Sequence, residues 1–263
     1  MKKHLLKIVY IAIALALGLN ACSPAGQQMT ATSEATSPAN TPQVIVPTAG
    51  TSATEPPAGI PECDLSLPGP VDWPVFICDR FDGKHQTFPI ESQDNPYARY
   101  TAQVTDGQFY EVDYTAKGFA QFQRSSLTWF DIASAQDFAL SISGTMDSTF
   151  KDVSWGIAFR GSEDKESYFL FSIMNDGTYA FEIYEKKGWI SLISKRGFNG
   201  IKAGEKNTLT VIAEGKNFKF MINGEPVEGF DGGLLEGMQV FLVVSVKEGA
   251  SATYSFDDLV MQI

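Results

Sequence analysis

The chain has 263 residues, 44% hydrophobic and 19% charged, with 20 Lys and Arg against 31 Asp and Glu and a formal net charge of −11. That acidity argues against nucleic acid as a partner and against adsorption on anionic lipid head groups, both of which select basic surfaces. Nineteen Phe and nine Tyr, with few long amphipathic stretches, favour strands over helices and suit one β-domain of about 200 residues.

Residues 1–22 read as an export signal. Lys2, Lys3 and Lys7 make a basic start, and Ile8–Leu19 is an apolar run of about a dozen residues, short of the roughly 20 that a membrane-spanning helix needs. The run ends at Leu19-Asn20-Ala21-Cys22, which resembles a bacterial lipobox. The expectation is a lipid on Cys22, a membrane partner through that anchor, and a place on the extracytoplasmic face of the cell envelope. Residues 23–61 carry Ser, Thr, Ala, Pro, Gly and Gln, with no aromatic residue and only Glu34 and Glu55 charged. Such a segment cannot bury enough apolar surface to offset its ordering entropy, so a disordered linker is expected, with a root-mean-square span of about 35 Å. The folded domain is expected over 62–263.

With Cys22 assigned to lipid, Cys63 and Cys78 remain as an even pair in an oxidising compartment and are expected to form a disulfide. The enclosed loop, DLSLPGPVDWPVFI, is Pro-rich and benefits from such a staple.

Within the domain, Phe76–Phe81 reads as the entry strand, followed by a polar, turn-rich passage to about Tyr97. Tyr100–Val104 and Gln108–Tyr114 flank Asp106-Gly107; Gly118–Arg124, Leu127–Ile132 and Phe138–Ser143 follow. The centre of the chain is Val153–Leu192, which reads as consecutive antiparallel strands. In Ser154–Arg160 the residues Trp155, Ile157 and Phe159 share one side, and Gly156, Ala158 and Arg160 the other. Phe169, Phe171 and Ile173 share a face in Tyr168–Met174, as do Tyr179, Phe181 and Ile183 in Thr178–Tyr184. Asn175-Asp176-Gly177 and Lys186-Lys187-Gly188 supply residues that hairpin turns need. Thr208–Ala213 and Phe218–Ile222 come next, then Asn223-Gly224, the strongest hairpin signal in the chain. Gln239–Val246 is apolar on both faces and is expected inside a sheet. Tyr254–Met261 closes the chain.

The series G-I-A-F-R, Y-F-L-F, D-G-T-Y and G-W-I-S-L resembles concanavalin A-like lectin/glucanase jelly rolls, nearest to the laminin-G-like and 3-keto-disaccharide-hydrolase-like domains of bacterial secreted proteins and lipoproteins. The likeness covers roughly residues 76–263. It implies an all-β, antiparallel two-sheet sandwich whose ligands, where it has any, are carbohydrates; it carries over no catalytic residue.

The chemistry in the residues is sparse. His4 falls in the export segment, which leaves His85 alone, and with the cysteines used, zinc sites and Cys–His catalysis lack ligands. Glucanases of this fold carry E-x-D-x-(x)-E on one strand. Glu111-Val112-Asp113 begins that pattern on one face, but Tyr114-Thr115-Ala116 omits the third acid. Glu182 and Glu185 fall on opposite faces. No cofactor is expected, apart from calcium if Asp79, Asp82, Asp257 and Asp258 meet where the first and last strands pair.

Aromatic surface is the remaining candidate. Trp129, Trp155, Tyr168, Tyr179, Tyr184 and Trp189 could stack on sugar rings or simply pack, and Trp155 is in phase with the core. The expected ligand face lies opposite the core: a trough over Gly156 and Ala158, walled by Tyr168, Tyr184 or Trp189, with Arg160 and Glu182 orienting hydroxyls. Two function classes follow, a tethered glycan-binding or interaction module and a divergent glycoside-type hydrolase.

Overall fold

The computed structural model describes residues 63–83, 87–105, 109–117, 120–124 (backbone only), 137–164, 166–186, 188–232, 235, 237 and 239–263. Strands form nearly wherever the sequence alternates. They are β1 (Val75–Asp79), β2 (Glu91–Asp94), β3 (Ala98–Thr105), β4 (Phe109–Ala116), β5 (Ala120–Arg124), β6 (Phe138–Asp147), β7 (Ser154–Gly161) and β8 (Tyr168–Met174). Then come β9 (Thr178–Glu185), β10 (Gly188–Gly197), β11 (Asn207–Glu214), β12 (Asn217–Ile222), β13 (Glu225–Pro226), β14 (Phe230–Asp231), β15 (Gln239–Val246) and β16 (Ser251–Gln262). No helix occurs among the described residues. Cys22, the linker, His85, Asp106-Gly107, Trp129 and the strand expected at Leu127–Ile132 lie outside them.

Two antiparallel sheets result. One has ten strands in the order β13-β12-β11-β6-β16-β4-β3-β2, with β1 added beside β16 and β14 beside β12; the other has six, in the order β10-β9-β8-β7-β15-β5. This is the expected jelly-roll sandwich. Strand β15, apolar on both faces, lies between β7 and β5 inside the six-stranded sheet. The first and last strands pair as expected: β16 runs beside β4 over Ser251–Phe256 and then beside β1 over Leu259–Gln262. The partner changes at a bulge where Asp258 takes a positive φ of 52°.

The core fills the space between the sheets with alternate residues of the facing strands. Strand β4 turns Tyr110, Val112 and Tyr114 inward, so Glu111 and Asp113 share the outer face as their spacing predicts. Phe159 is fully buried against the rings of Phe138, Phe169, Phe181 and Phe218 at centroid distances of 5.1–5.9 Å. Truncating a ring in such a setting to alanine costs about 3–5 kcal/mol. Trp155 and Tyr179 are core residues, 1% and 5% exposed, with Trp155 edge-on to Phe256.

The ends are secured by local chemistry. Asn223 and Gly224 adopt φ of 54° and 78°, the left-handed pair that a two-residue hairpin between β12 and β13 requires. Cys63 and Cys78 are joined, with Cα atoms 5.7 Å apart, so the Pro-rich loop closes on β1.

Candidate functional site

The outer face of the six-stranded sheet departs from the open trough that alternation suggests. Gly156 and Ala158 do face away from the core, but Ala158, Leu170, Phe241 and Val243 form a second apolar cluster there, each no more than 5% exposed. Register explains the grouping, since Ala158 pairs with Leu170 on one side and Phe241 on the other. The double apolar character of β15 therefore serves two cores, one on each face.

Beside this cluster stands an aromatic trio. Tyr168 and Tyr184 face each other across β8 and β9, and Tyr184 faces Trp189 across β9 and β10. Their ring centroids are 5.1 Å apart in both cases, and Tyr168 meets Trp189 edge-on at 5.8 Å. Tyr168 is fully buried, with Phe241 at 5.0 Å behind it, so it backs the group instead of walling a trough. Tyr184 and Trp189 are partly buried and pack against the cluster without being closed off from solvent. The turn joining β9 to β10 is tied to the β7–β8 loop by Lys186 and Glu166, 3.0 Å apart.

Glu182 lies one rung along, between Leu170 of β8 and Ser191 of β10. It is half-buried, and burial pushes its carboxyl above the usual range. Neither cross-strand neighbour can neutralise it, and among the described residues its carboxylate takes no hydrogen bond or ion pair.

Arg160 is displaced from this site. Ala158 pairs with Phe241 and Gly161 with Gln239, so Phe159 and Arg160 together oppose the single residue Val240. This two-against-one bulge reverses the alternation at Arg160, which takes a positive φ of 51°. Its side chain crosses toward the ten-stranded sheet, donates to the carbonyls of Gly215 and Leu235, and sits 5.0 Å from the Phe218 ring centroid. At 8% exposure it is a structural cation and no ligand fork.

The four acids considered for calcium serve other ends. Asp79 accepts from the Phe81 amide at 2.7 Å and from the amide and hydroxyl of Thr87. Asp257 and Asp258 are bound by the Lys206 ammonium at 2.8 and 2.7 Å. Asp82 has partners of its own. Among the described residues no three His, Cys, Asp or Glu side chains converge on a point where a metal ion could sit.

No family model and no curated protein matches the chain. Solved structures match its fold. It is similar to a GlcNAcα1-4Gal-releasing endo-β-galactosidase from Clostridium perfringens, with a TM-score of 0.54 and 9% identity over 75% of this chain and 64% of that one. It is also similar to the catalytic domain of an endo-1,3-β-glucanase, a laminarinase, from Thermotoga petrophila, with a TM-score of 0.51 and 9% identity over 73% and 98%. A carbohydrate-binding module from Bacillus subtilis aligns over 66% of this chain and 92% of its own, with 16% identity and a TM-score of 0.43. At 9% identity the likeness to the first two establishes a jelly-roll sandwich fold and nothing about ligand or reaction.

Proposed function

We propose that the chain is a membrane-tethered extracytoplasmic module that binds glycans weakly through Tyr184, Trp189 and Glu182. The observation that carries this is the pair of partly buried aromatic residues beside a carboxylate with no hydrogen-bond or ion-pair partner among the described residues. Ring faces cover the apolar side of a sugar, and a desolvated carboxylate accepts from its hydroxyls, so each group supplies what the other lacks. With one charged group and two rings, affinity should lie in the micromolar to millimolar range, about −8 to −4 kcal/mol. The carbohydrate-active proteins that share the fold make this chemistry a natural one for the scaffold, as analogy only.

Amide chemical shifts of the processed chain, followed during titration with a glycan panel, test the reading. Shifts centred on Glu182, Tyr184 and Trp189, with about tenfold weaker binding in Trp189→Ala, support it. A panel that leaves that face silent makes a tethered interaction domain the better account. The hydrolase reading would need a second carboxylate across a bound sugar from Glu182, whose cross-strand neighbours are Leu170 and Ser191.

The tether rests on the basic–apolar–Cys22 series. Cys22→Ala should release the protein from the membrane fraction, and globomycin should make the unprocessed form accumulate. An alanine variant that stays membrane-bound with its signal uncleaved would replace the lipid with an uncleaved anchor.

A further inference from the structure

We propose a second ligand site on the other sheet: a hollow on the outer face of β3, β4, β16 and β6 that takes a neutral, polyhydroxylated molecule of about disaccharide size. The solvated face of an antiparallel sheet is ordinarily open and shallow. Here an open depression of about 560 Å³ sits where the ladder meets the loop after β6. That loop is fixed in place. Ser148 Oγ donates to the Ser251 carbonyl at 2.8 Å, and Asn175 Nδ2 donates to the carbonyls of Ser148 and Phe150, each at 3.1 Å.

The floor is one rung of three residues. Thr253 pairs with Asp113 on one side and with Asp147 on the other, so the two carboxylates stand two strand spacings apart, roughly 10 Å between Cα atoms. Thr253 Oγ1 donates to Asp113 at 2.6 Å. Arg99 stands at the next rung, beside Thr115. Among the described residues neither Arg99 nor Asp147 makes a side-chain hydrogen bond or close ion pair, although both line the same hollow and Arg99 feels Asp94, its cross-strand neighbour on β2, through space.

The mixture of charges selects the ligand class. An anion that satisfied Arg99 would meet Asp113 and Asp147, and a cation that satisfied the aspartates would meet Arg99. A neutral polyol satisfies all three, because adjacent hydroxyls donate to a carboxylate and accept from a guanidinium, while threonine hydroxyls do either. The volume falls within the range of small-molecule sites, about 300–1,000 Å³, and is far too large for a bare ion. The site is independent of Tyr184 and Trp189, which lie on the outer face of the opposite sheet.

Titration of the isotope-labelled full chain in detergent with maltose, cellobiose, lactose and N,N′-diacetylchitobiose, read by amide shifts, separates the two faces. We expect shifts at Thr101, Thr115 and Thr253, weakened at least about fivefold by Asp147→Asn and by Arg99→Ala and unchanged by Trp189→Ala. Both hollow variants alter exposed side chains, so folding should be retained. Shifts confined to the Tyr184–Trp189 face overturn this site and leave the first reading standing. Shifts confined to the hollow do the reverse. Equal responses of wild type and Asp147→Asn at these amides also overturn the proposal.

Discussion

Gln262, in the last strand, accepts a hydrogen bond from the backbone amide of Gly69, 193 residues earlier in the chain, at 2.7 Å. Its Nε2 donates to the carbonyls of Pro70 at 3.0 Å and Trp73 at 2.9 Å, and the side chain is fully buried. One amide thus satisfies three backbone groups of the Pro-rich stretch ahead of β1. Gln262→Leu should leave those groups unpaired and cost about 2–4 kcal/mol, read as a lower urea midpoint. A midpoint equal to wild type would mean that the loop finds solvent without loss.

The same loop is closed by Cys63 and Cys78, a separation of 15 residues. In the chain-entropy model that closure stabilises by about 3 kcal/mol. The double variant Cys63→Ala/Cys78→Ala should lose that amount in equilibrium unfolding. Non-reducing peptide maps of wild type should contain the linked pair, and two free thiols would remove the staple.

Arg160 should behave as a structural residue. Arg160→Ala forfeits the bonds to Gly215 and Leu235 and the contact with Phe218, at about 1–3 kcal/mol of stability. Glycan affinity at the Tyr184–Trp189 face should not change, because the side chain lies toward the other sheet. An affinity loss without a stability loss would reverse this assignment.

Glu182 gives a pH dependence of definite sign. Burial raises its folded pKa above the ordinary 4.5, so the folded state holds the proton more tightly than the unfolded chain. Stability from this group is therefore highest below the unfolded pKa, declines as pH rises toward the folded pKa, and is level beyond it. Glu182→Gln should flatten that decline and equal or exceed wild type in stability at neutral pH. Urea midpoints measured from pH 4 upward check it; an unchanged slope would mean that the carboxylate is solvated after all.

Much of this architecture is legible from side-chain alternation. Trp155, Phe169, Phe181 and Ile183 lie on the faces that a period of two assigns, because an unbroken strand cannot do otherwise. Arg160 escapes that logic. A bulge inserts one residue without altering the apolar pattern before it, and Phe159-Arg160 reads identically with or without one. Strand β2, Glu-Ser-Gln-Asp, has no apolar residue to alternate and is held by backbone pairing with β3 and by polar side-chain contacts, such as the Tyr100 hydroxyl donating to Glu91 and Gln93. The Asp113–Thr253–Asp147 rung is equally illegible from sequence, because it depends on the register of three strands far apart in the chain. Glu182 and Tyr184 are legible because both lie on one regular strand; the burial of Tyr168 depends on Phe241, whose register no local pattern encodes.

The disulfide also decides where the domain would feel a pull on its N-terminal chain. Tension arriving at Cys63 passes through sulfur directly to Cys78, so residues 64–74, ahead of β1, lie outside the load path. The force enters β1 opposite Val260 of β16 and is carried by the ladder between the first and last strands. Strand β16 is in turn held by β6 along its other edge, in the interior of the ten-stranded sheet. A domain wired this way meets a drag force with its most heavily bonded strand, and its Pro-rich loop is spared from unravelling first.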